Sequence, residues 1–305
     1  MILTVTLNTA LDLTYRVRSL RPHASHRVSE VIERPGGKGV NVARVLAALG
    51  HEVTVTGFAG GGTGRAVRDM LSAVPRLTDA LLPAAGATRR TIAVVDELSG
   101  DTTQLNEPGP QISPAEWGAF LDRYEELLPG ASAVALCGSL PPGVPVGAYG
   151  NLVRAARAAG VPVLLDTSGE PLRRAVAARP DIVKPNADEL AELTGSHDPL
   201  RATQDARRRG AHTVVASLGP KGLLAATPEG SWHAAPPAPE HGNPTGAGDS
   251  AVAGLLSGLV DQLPWPDRLA RAVALSAATV RAPAAGEFDH AAYEKLLAQV
   301  SVTAV

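Results

Sequence analysis

The sequence predicts an α/β protein built on a mostly parallel sheet, and three observations predict it. Short β-branched runs alternate with Ala-, Leu- and Arg-rich stretches of helical period. Strands joined through helices form right-handed βαβ units, which assemble a parallel sheet covered on both faces. The 305 residues, 45% hydrophobic and 19% charged, suffice for a large core and exclude a disordered chain.

The elements follow in order. A strand is expected at 2–7 (ILTVTL), then a helix at 39–49, where GVNVARVLAAL returns apolar residues at three- and four-residue spacing. VTVTGF predicts a strand at 53–58, followed by helices at 63–73 and 114–127. AVALC gives a strand at 133–137, a helix follows at 146–159, and VPVLLD gives a strand at 161–166. DIVK at 181–184 and TVVAS at 213–217 are strands, separated by helices at 187–193 and 200–209. Helices at 247–262, 267–281 and 291–300 complete the chain.

Two regions break the pattern. Around 13–33 and 88–106 the stretches HRVSEVIE, TRRTIAVVD and TTQLN alternate polar and apolar with no helix between them. Period-two alternation predicts strands with one wet face. The two insertions are expected to pair into a small separate sheet, a lid or a dimer interface, on a single domain spanning 1–305.

Composition narrows the function. A net charge of −2 argues against binding nucleic acid through backbone electrostatics. One cysteine, Cys137, excludes an intrachain disulfide and a cysteine metal cluster. MILTVTL lacks a basic leader region, and no apolar stretch is long enough to span a bilayer, so a cytoplasmic protein is expected.

The chemistry concentrates in glycine-rich turns. In NPTGAGDS (243–250), Gly246, Ala247 and Gly248 open an apolar helix. The first amides of a helix lack intrahelical partners and favour an anion. Asp249 in that first turn is either a helix-stabilising charge or a catalytic base. There is no P-loop, HExxH or GxSxG, and the loose G-x-G-x-x-A match lacks the preceding strand that a dinucleotide fold needs. RPGGKGVNVARVLAALG (34–50) is a second such turn, with Gly37 for close backbone approach, Lys38 as a point charge and Asn41 to bond a hydroxyl. Asp12 follows the first strand, where it could accept sugar hydroxyls or simply occupy a turn. In VKPNADEL, Asn186 and Glu189 fit either a helix capping box or, with Lys184, a phosphate and Mg²⁺–water site. Ser217 and Gly219 end a strand where a nucleotide could rest.

In order, GGKGVNVARVL, TQLNEPGP, CGSLPPG, LLDTSGEPL, VKPNADEL, SLGPKG and NPTGAGDS resemble the PfkB (ribokinase-like) family of carbohydrate kinases over residues 4–282. Within it they are most similar to the branch of 1-phosphofructokinases and tagatose-6-phosphate kinases. The resemblance implies a three-layer α/β/α core, a β-sheet lid that also pairs two copies, and ATP and Mg²⁺ as cofactors. It implies Asp249 as general base beside an anion hole at Gly246, Ala247 and Gly248. Asp12, Gly37, Lys38 and Asn41 would hold the sugar, and Arg27, Arg89 and Ser139 its phosphate. Lys184, Asn186, Glu189, Ser217, Gly219, Gly222, Asn243 and Ser276 would serve the nucleotide, with Asn186 and Glu189 reaching Mg²⁺ through water. The expected reaction is fructose 1-phosphate to fructose 1,6-bisphosphate. Tagatose 6-phosphate or fructose 6-phosphate is the nearest rival, and a nicotinamide oxidoreductase or non-catalytic sensor a remote one. The helix dipole is expected to depress the pKa of Asp249. Thr9, Arg90 with Thr91, and Asn243 depart from the family pattern; the last stands where members dependent on monovalent cations often carry aspartate.

Overall fold

The computed structural model describes residues 1–305. The chain begins with β1 (Ile2–Thr6), β2 (Ala10–Val17), β3 (Glu30–Gly36), α1 (Lys38–Ala48), β4 (Val53–Gly60), α2 (Gly61–Ser72) and β5 (Leu77–Ala84). It continues through β6 (Arg89–Asp96), β7 (Thr102–Asn106), α3 (Pro114–Leu127), β8 (Ala133–Cys137), α4 (Ala148–Ala158), β9 (Val163–Asp166) and α5 (Gly169–Val176). Then come β10 (Ile182–Val183), α6 (Ala187–Thr194), α7 (Pro199–Arg208), β11 (Thr213–Ser217), β12 (Leu223–Thr227) and β13 (Gly230–Ala235). The last elements are α8 (Ala247–Val260), α9 (Trp265–Val280), α10 (His290–Leu297) and β14 (Ser301–Ala304).

The main sheet is ten-stranded, ordered β14-β13-β12-β11-β10-β9-β8-β1-β4-β5. From β11 to β5 neighbours run parallel, whereas β12, β13 and β14 add antiparallel strands at the other edge. Each parallel strand feeds two cores alternately, which is why AVALC reads as a continuous apolar run rather than an alternating one. Ala133, Ala135 and Cys137 face the layer of α1, α2, α8, α9 and α10, through residues such as Val42, Leu71, Leu255 and Leu269. Val134 and Leu136 face α3 to α7, through Phe120, Tyr124, Leu152 and Leu190. Burying a leucine there contributes about 1.5–3 kcal/mol each.

Every expected strand and helix is present, with ends displaced by at most about three residues, the usual fraying of such boundaries. Strands β5, β13 and β14 and helix α5 had no clear sequence signal. β5 and β14 are edge strands with mixed exposure, so their pattern is weak. Helix α5 is eight residues long and holds Pro171 in its first turn, where proline is tolerated.

The two irregular regions do pair into a separate four-stranded sheet, β3-β2-β6-β7, with β2 and β6 parallel and the outer pairs antiparallel. Its register sets Asp12 of β2 beside Thr91 of β6 and Arg34 of β3. Val31, Leu98 and Leu105 of this region are exposed apolar side chains. In the main sheet, the chain builds outward from β1 through β4 and β5, then returns to β8 on the opposite side. The strand order therefore reverses between β1 and β8. In open α/β sheets ligands bind beyond the carboxyl ends of the strands at such a reversal.

Candidate active site

A polar cleft of about 1720 Å³ opens at that reversal, between the strand ends and the underside of the small sheet. Thr6 and Asn8 reach it from the end of β1, Ser139 from the end of β8, and Thr167 and Ser168 from the end of β9. Two helix N-termini point into it. Gly37 caps α1 at φ 99°, where an added Cβ would stand 2.7 Å from Thr6 Cγ2. Gly246 caps α8 at φ 84°, and a Cβ there would meet that of Ala285 at 2.7 Å. Positive φ and close packing both restrict these positions to glycine, and no side chain caps either helix, although the Ala247 amide donates to the Pro244 carbonyl at 3.1 Å.

Asp249 sits in the first turn of α8 and is nearly fully buried. The Asn41 amide, from α1, donates to its Oδ2 at 2.8 Å. The expected depression of its pKa does not occur. Burial raises it to about 6, outweighing the opposing pull of Lys38, Lys184 and the Asn41 hydrogen bond. At pH 7 the carboxylate is still mostly ionised, and a base with a pKa near the working pH transfers protons more effectively than one near 4.

On the small-sheet side, burial also raises Asp12 to about 6, against the lowering influence of Arg89, Thr91 and Arg44. Arg89 donates to the Asn8 carbonyl at 3.2 Å and the Thr91 hydroxyl at 3.2 Å, which fixes its guanidinium at the cleft wall. Asn8 also donates to Ser139 Oγ at 3.1 Å. Thr6 Oγ1, Asn8 Oδ1 and Asn41 Oδ1 are buried with no protein partner, and all three residues line the cleft. A wall of unpaired hydroxyl and amide oxygens between two carboxylates suits a polyhydroxylated ligand, since a buried unpaired acceptor is costly.

A second pocket of about 770 Å³ adjoins the first and shares Gly242, Pro244, Gly248 and Val280 with it. Asn186, Ser217, Gly219, Gly222 and Ser276 line it, with apolar walls from Leu223, Val273 and Ala277. Ala247 faces this pocket, and Gly248 faces both, so the α8 N-terminus is the wall between them.

The cleft brings together Asp12, Gly37, Lys38, Asn41, Arg89, Ser139, Asn243, Gly246 and Asp249. Three expected residues behave differently. Arg27 is exposed on the β2–β3 connection and does not line the cleft of its own chain. Lys184 is buried behind the wall; a Cβ on Gly248 would be 3.7 Å from its Nζ. Glu189 closes a capping box with Asn186, each accepting the other's backbone N–H at 2.8 Å, so the structural explanation for this pair holds. Glu189 nonetheless lies close enough to raise the pKa of Lys38. No three His, Cys, Asp or Glu side chains converge to hold a metal ion.

One residue of the site carried no assignment from sequence. Asp166, almost fully buried at the end of β9, is 3.4 Å from Lys38 Nζ and 3.5 Å from Lys184 Nζ. The signal was available in LLDTSG, where an aspartate follows the last apolar residue of a buried strand. The dinucleotide interpretation of G-x-G-x-x-A is excluded by geometry: β13 ends at Ala235, a loop leads to Gly246, and α8 is followed by α9 rather than a strand.

Residues 4–291 match the pfkB family of carbohydrate kinases. The chain belongs to that family. It is 42% identical over 261 residues, 84% of this chain and 82% of the relative, to a 1-phosphofructokinase of Rhodobacter capsulatus. A solved possible 1-phosphofructokinase of Thermotoga maritima matches with TM-score 0.89 at 29% identity, over 100% of this chain and 99% of the other. Phosphofructokinase-2 of Escherichia coli, in a tetrameric inhibited form, matches with TM-score 0.90 at 31% identity, over 97% and 98% of the two chains. Arabidopsis thaliana ribokinase, at 21% identity and TM-score 0.76, shares the fold. The PfkB protein is thus a carbohydrate kinase of the ribokinase-like fold, homologous to 1-phosphofructokinase, and the polar cleft and adjoining pocket are its candidate sugar and nucleotide sides. No helix is long and apolar enough to cross a membrane.

Proposed function

We propose that the chain transfers the γ-phosphoryl group of ATP to fructose 1-phosphate, giving fructose 1,6-bisphosphate and ADP. The observation that carries this reading is the meeting of the two pockets at Gly248, with Asp249 lining the polar one. The 1-phosphofructokinase relative supports the choice of sugar. The acceptor hydroxyl oxygen attacks the γ-phosphorus as the bond to the ADP oxygen breaks, and Asp249 takes the hydroxyl proton. Asn41 holds the Asp249 carboxylate in place. The amides at the α8 N-terminus, with Lys38, stabilise the charge on the transferring group; positioning and charge stabilisation supply most of the catalysis in phosphoryl transfer. Asp12 accepts sugar hydroxyls, and Arg89 and Ser139 hold the existing phosphate. Mg²⁺ typically keeps several waters and binds through one or two carboxylates plus substrate phosphates. Glu189 fits that use, because only its Oε2 is engaged in the capping box. The small sheet acts as a lid that excludes water. Its exposed Val31, Leu98 and Leu105 are the surface through which two copies pair, and the exposed Arg27 on the β2–β3 connection is placed to meet a neighbour.

Tagatose 6-phosphate and fructose 6-phosphate differ from fructose 1-phosphate in where the phosphate sits. On a panel of the three with purified enzyme, fructose 1-phosphate is expected to give the highest kcat/KM. An equal or higher value on tagatose 6-phosphate overturns the assignment.

The pH profile follows from the two raised carboxylates. Asp249 and Asp12 both titrate near 6 and both act ionised, so activity is lost as pH falls through that value. With both required, kcat/KM should drop more steeply than the roughly tenfold per pH unit of a single group. An acid limb flat down to pH 5 contradicts the raised pKa of both groups.

A further inference from the structure

We infer that Glu287 is a positioning residue that ties the small sheet to the turn forming the anion hole, so that sugar-side closure and phosphoryl-side alignment act together. The inference rests on the reading of Gly246 to Gly248 as that hole.

Four observations carry it. Glu287 Oε1 accepts from Arg34 Nε at 3.0 Å, and Arg34 is on β3, directly across the ladder from Asp12. The same oxygen accepts from Arg44 Nη2 at 2.8 Å, and Arg44 is on α1, three residues beyond Asn41. Arg44 Nη1 also donates to the carbonyl of Ala285 at 2.9 Å. Ala285 packs directly on Gly246, the cap of α8, so closely that no larger residue fits there. One carboxylate therefore joins a strand of the small sheet, the helix that orients the Asp249 partner, and the loop backing the Gly246 turn.

The burial of Arg44 decides that this is more than a surface ion pair, although Arg34 and Glu287 are both partly exposed. An isolated exposed pair contributes little. Arg44, however, has only 10% of its side chain exposed, and Glu287 is the one carboxylate in ion-pair contact with it, at 2.8 Å. Without Glu287 the Arg44 guanidinium is left largely desolvated with only the more distant Asp12 charge to oppose it, and the loop from Ala285 to Glu287 keeps a single tether to α1, the bond from Arg44 Nη1 to the Ala285 carbonyl. Displacement of the Gly246 turn by a fraction of its contact distance moves the amides away from the charge they stabilise. Misplacements of that order cost up to about a hundredfold in rate.

The test is a double-mutant cycle with Arg34→Met and Glu287→Gln in the full chain, following kcat, both KM values, ATP hydrolysis without sugar and thermal stability. Glu287→Gln is expected to lower kcat about tenfold or more, with the sugar KM changed less than kcat. Arg34→Met, remote from ATP, is expected to reproduce part of that loss, and the two effects should be strongly non-additive. Sugar-independent ATP hydrolysis should rise relative to sugar phosphorylation, because closure and alignment are no longer linked. A lower melting temperature with unchanged kcat and unchanged hydrolysis ratio assigns Glu287 a structural role only and overturns the inference. So does additivity of the two substitutions. Failure of the site assignment has a different signature: full activity in Asp249→Asn, whatever the outcome of the cycle.

Discussion

Asp249→Asn is expected to lower kcat by about 10²–10⁴ while leaving both substrate KM values within a few-fold, the loss typical of removing a general base. Asparagine keeps the shape and can still bond Asn41, but it cannot take a proton from the acceptor hydroxyl. The same substitution should make the protein more stable at neutral pH. Asp249 has a pKa raised from 3.8 to about 6 by burial, so ionising it in the folded state costs more than in the unfolded chain. A rise of that size corresponds to about 3 kcal/mol at pH values above the folded pKa. The sign follows from the raised value: the penalty is absent below the unfolded pKa, appears as pH rises between the two, and is complete above 6. The asparagine variant avoids it, so its stability advantage should be present at pH 8 and vanish near pH 3. Denaturant titrations at those two values, beside steady-state kinetics, separate a lost base from a damaged fold. Wild-type kcat in this variant removes Asp249 from the mechanism.

The layered core was legible because its signals are local. VTVTGF, AVALC and TVVAS are apolar runs that only a two-sided sheet can bury, and each became a strand of it. The small sheet was legible for the opposite reason, since HRVSEVIE and TRRTIAVVD alternate as half-wet strands do. What the residues alone did not reveal is relational. The pKa of Asp249 depends on how much water the neighbouring layers exclude, and burial outweighs Lys38, Asn41 and Lys184, all of which lower it. Arg27 was implied as a phosphate contact by the family resemblance, yet its loop carries it outside the cleft. Glu287 and Arg34 are 253 residues apart, and nothing in either neighbourhood announces a shared hydrogen bond. Asn186 and Glu189 fitted two explanations from spacing alone; the capping box is now observed, while the metal role rests on one unengaged oxygen.

Asp166 is held by long-range partners of this kind, Lys38 and Lys184, and its replacement gives the second large effect. Its carboxylate stands between Lys38 and Lys184, and Lys184 has only 5% of its side chain exposed. Desolvating a lysine is tolerated when a carboxylate compensates; removing that carboxylate from a buried pair typically costs about 3–5 kcal/mol. Asp166→Asn should therefore lower the unfolding free energy by an amount of that order, measured by denaturant titration. It should also slow turnover, because Lys38 and Lys184 lose the group that aims them along the wall of the α8 turn. A third consequence distinguishes electrostatics from general damage. Asp166 is one of the charges that raises Asp249, so neutralising it should lower the Asp249 pKa below about 6. The acid limb of kcat should then move to lower pH, even as its plateau falls. Destabilisation alone would instead narrow the profile from the acid side, because an unfolding enzyme loses activity sooner on acidification. An acid limb shifted upward, or a variant as stable as the parent, contradicts the arrangement of one carboxylate serving two lysines and tuning the base beside them.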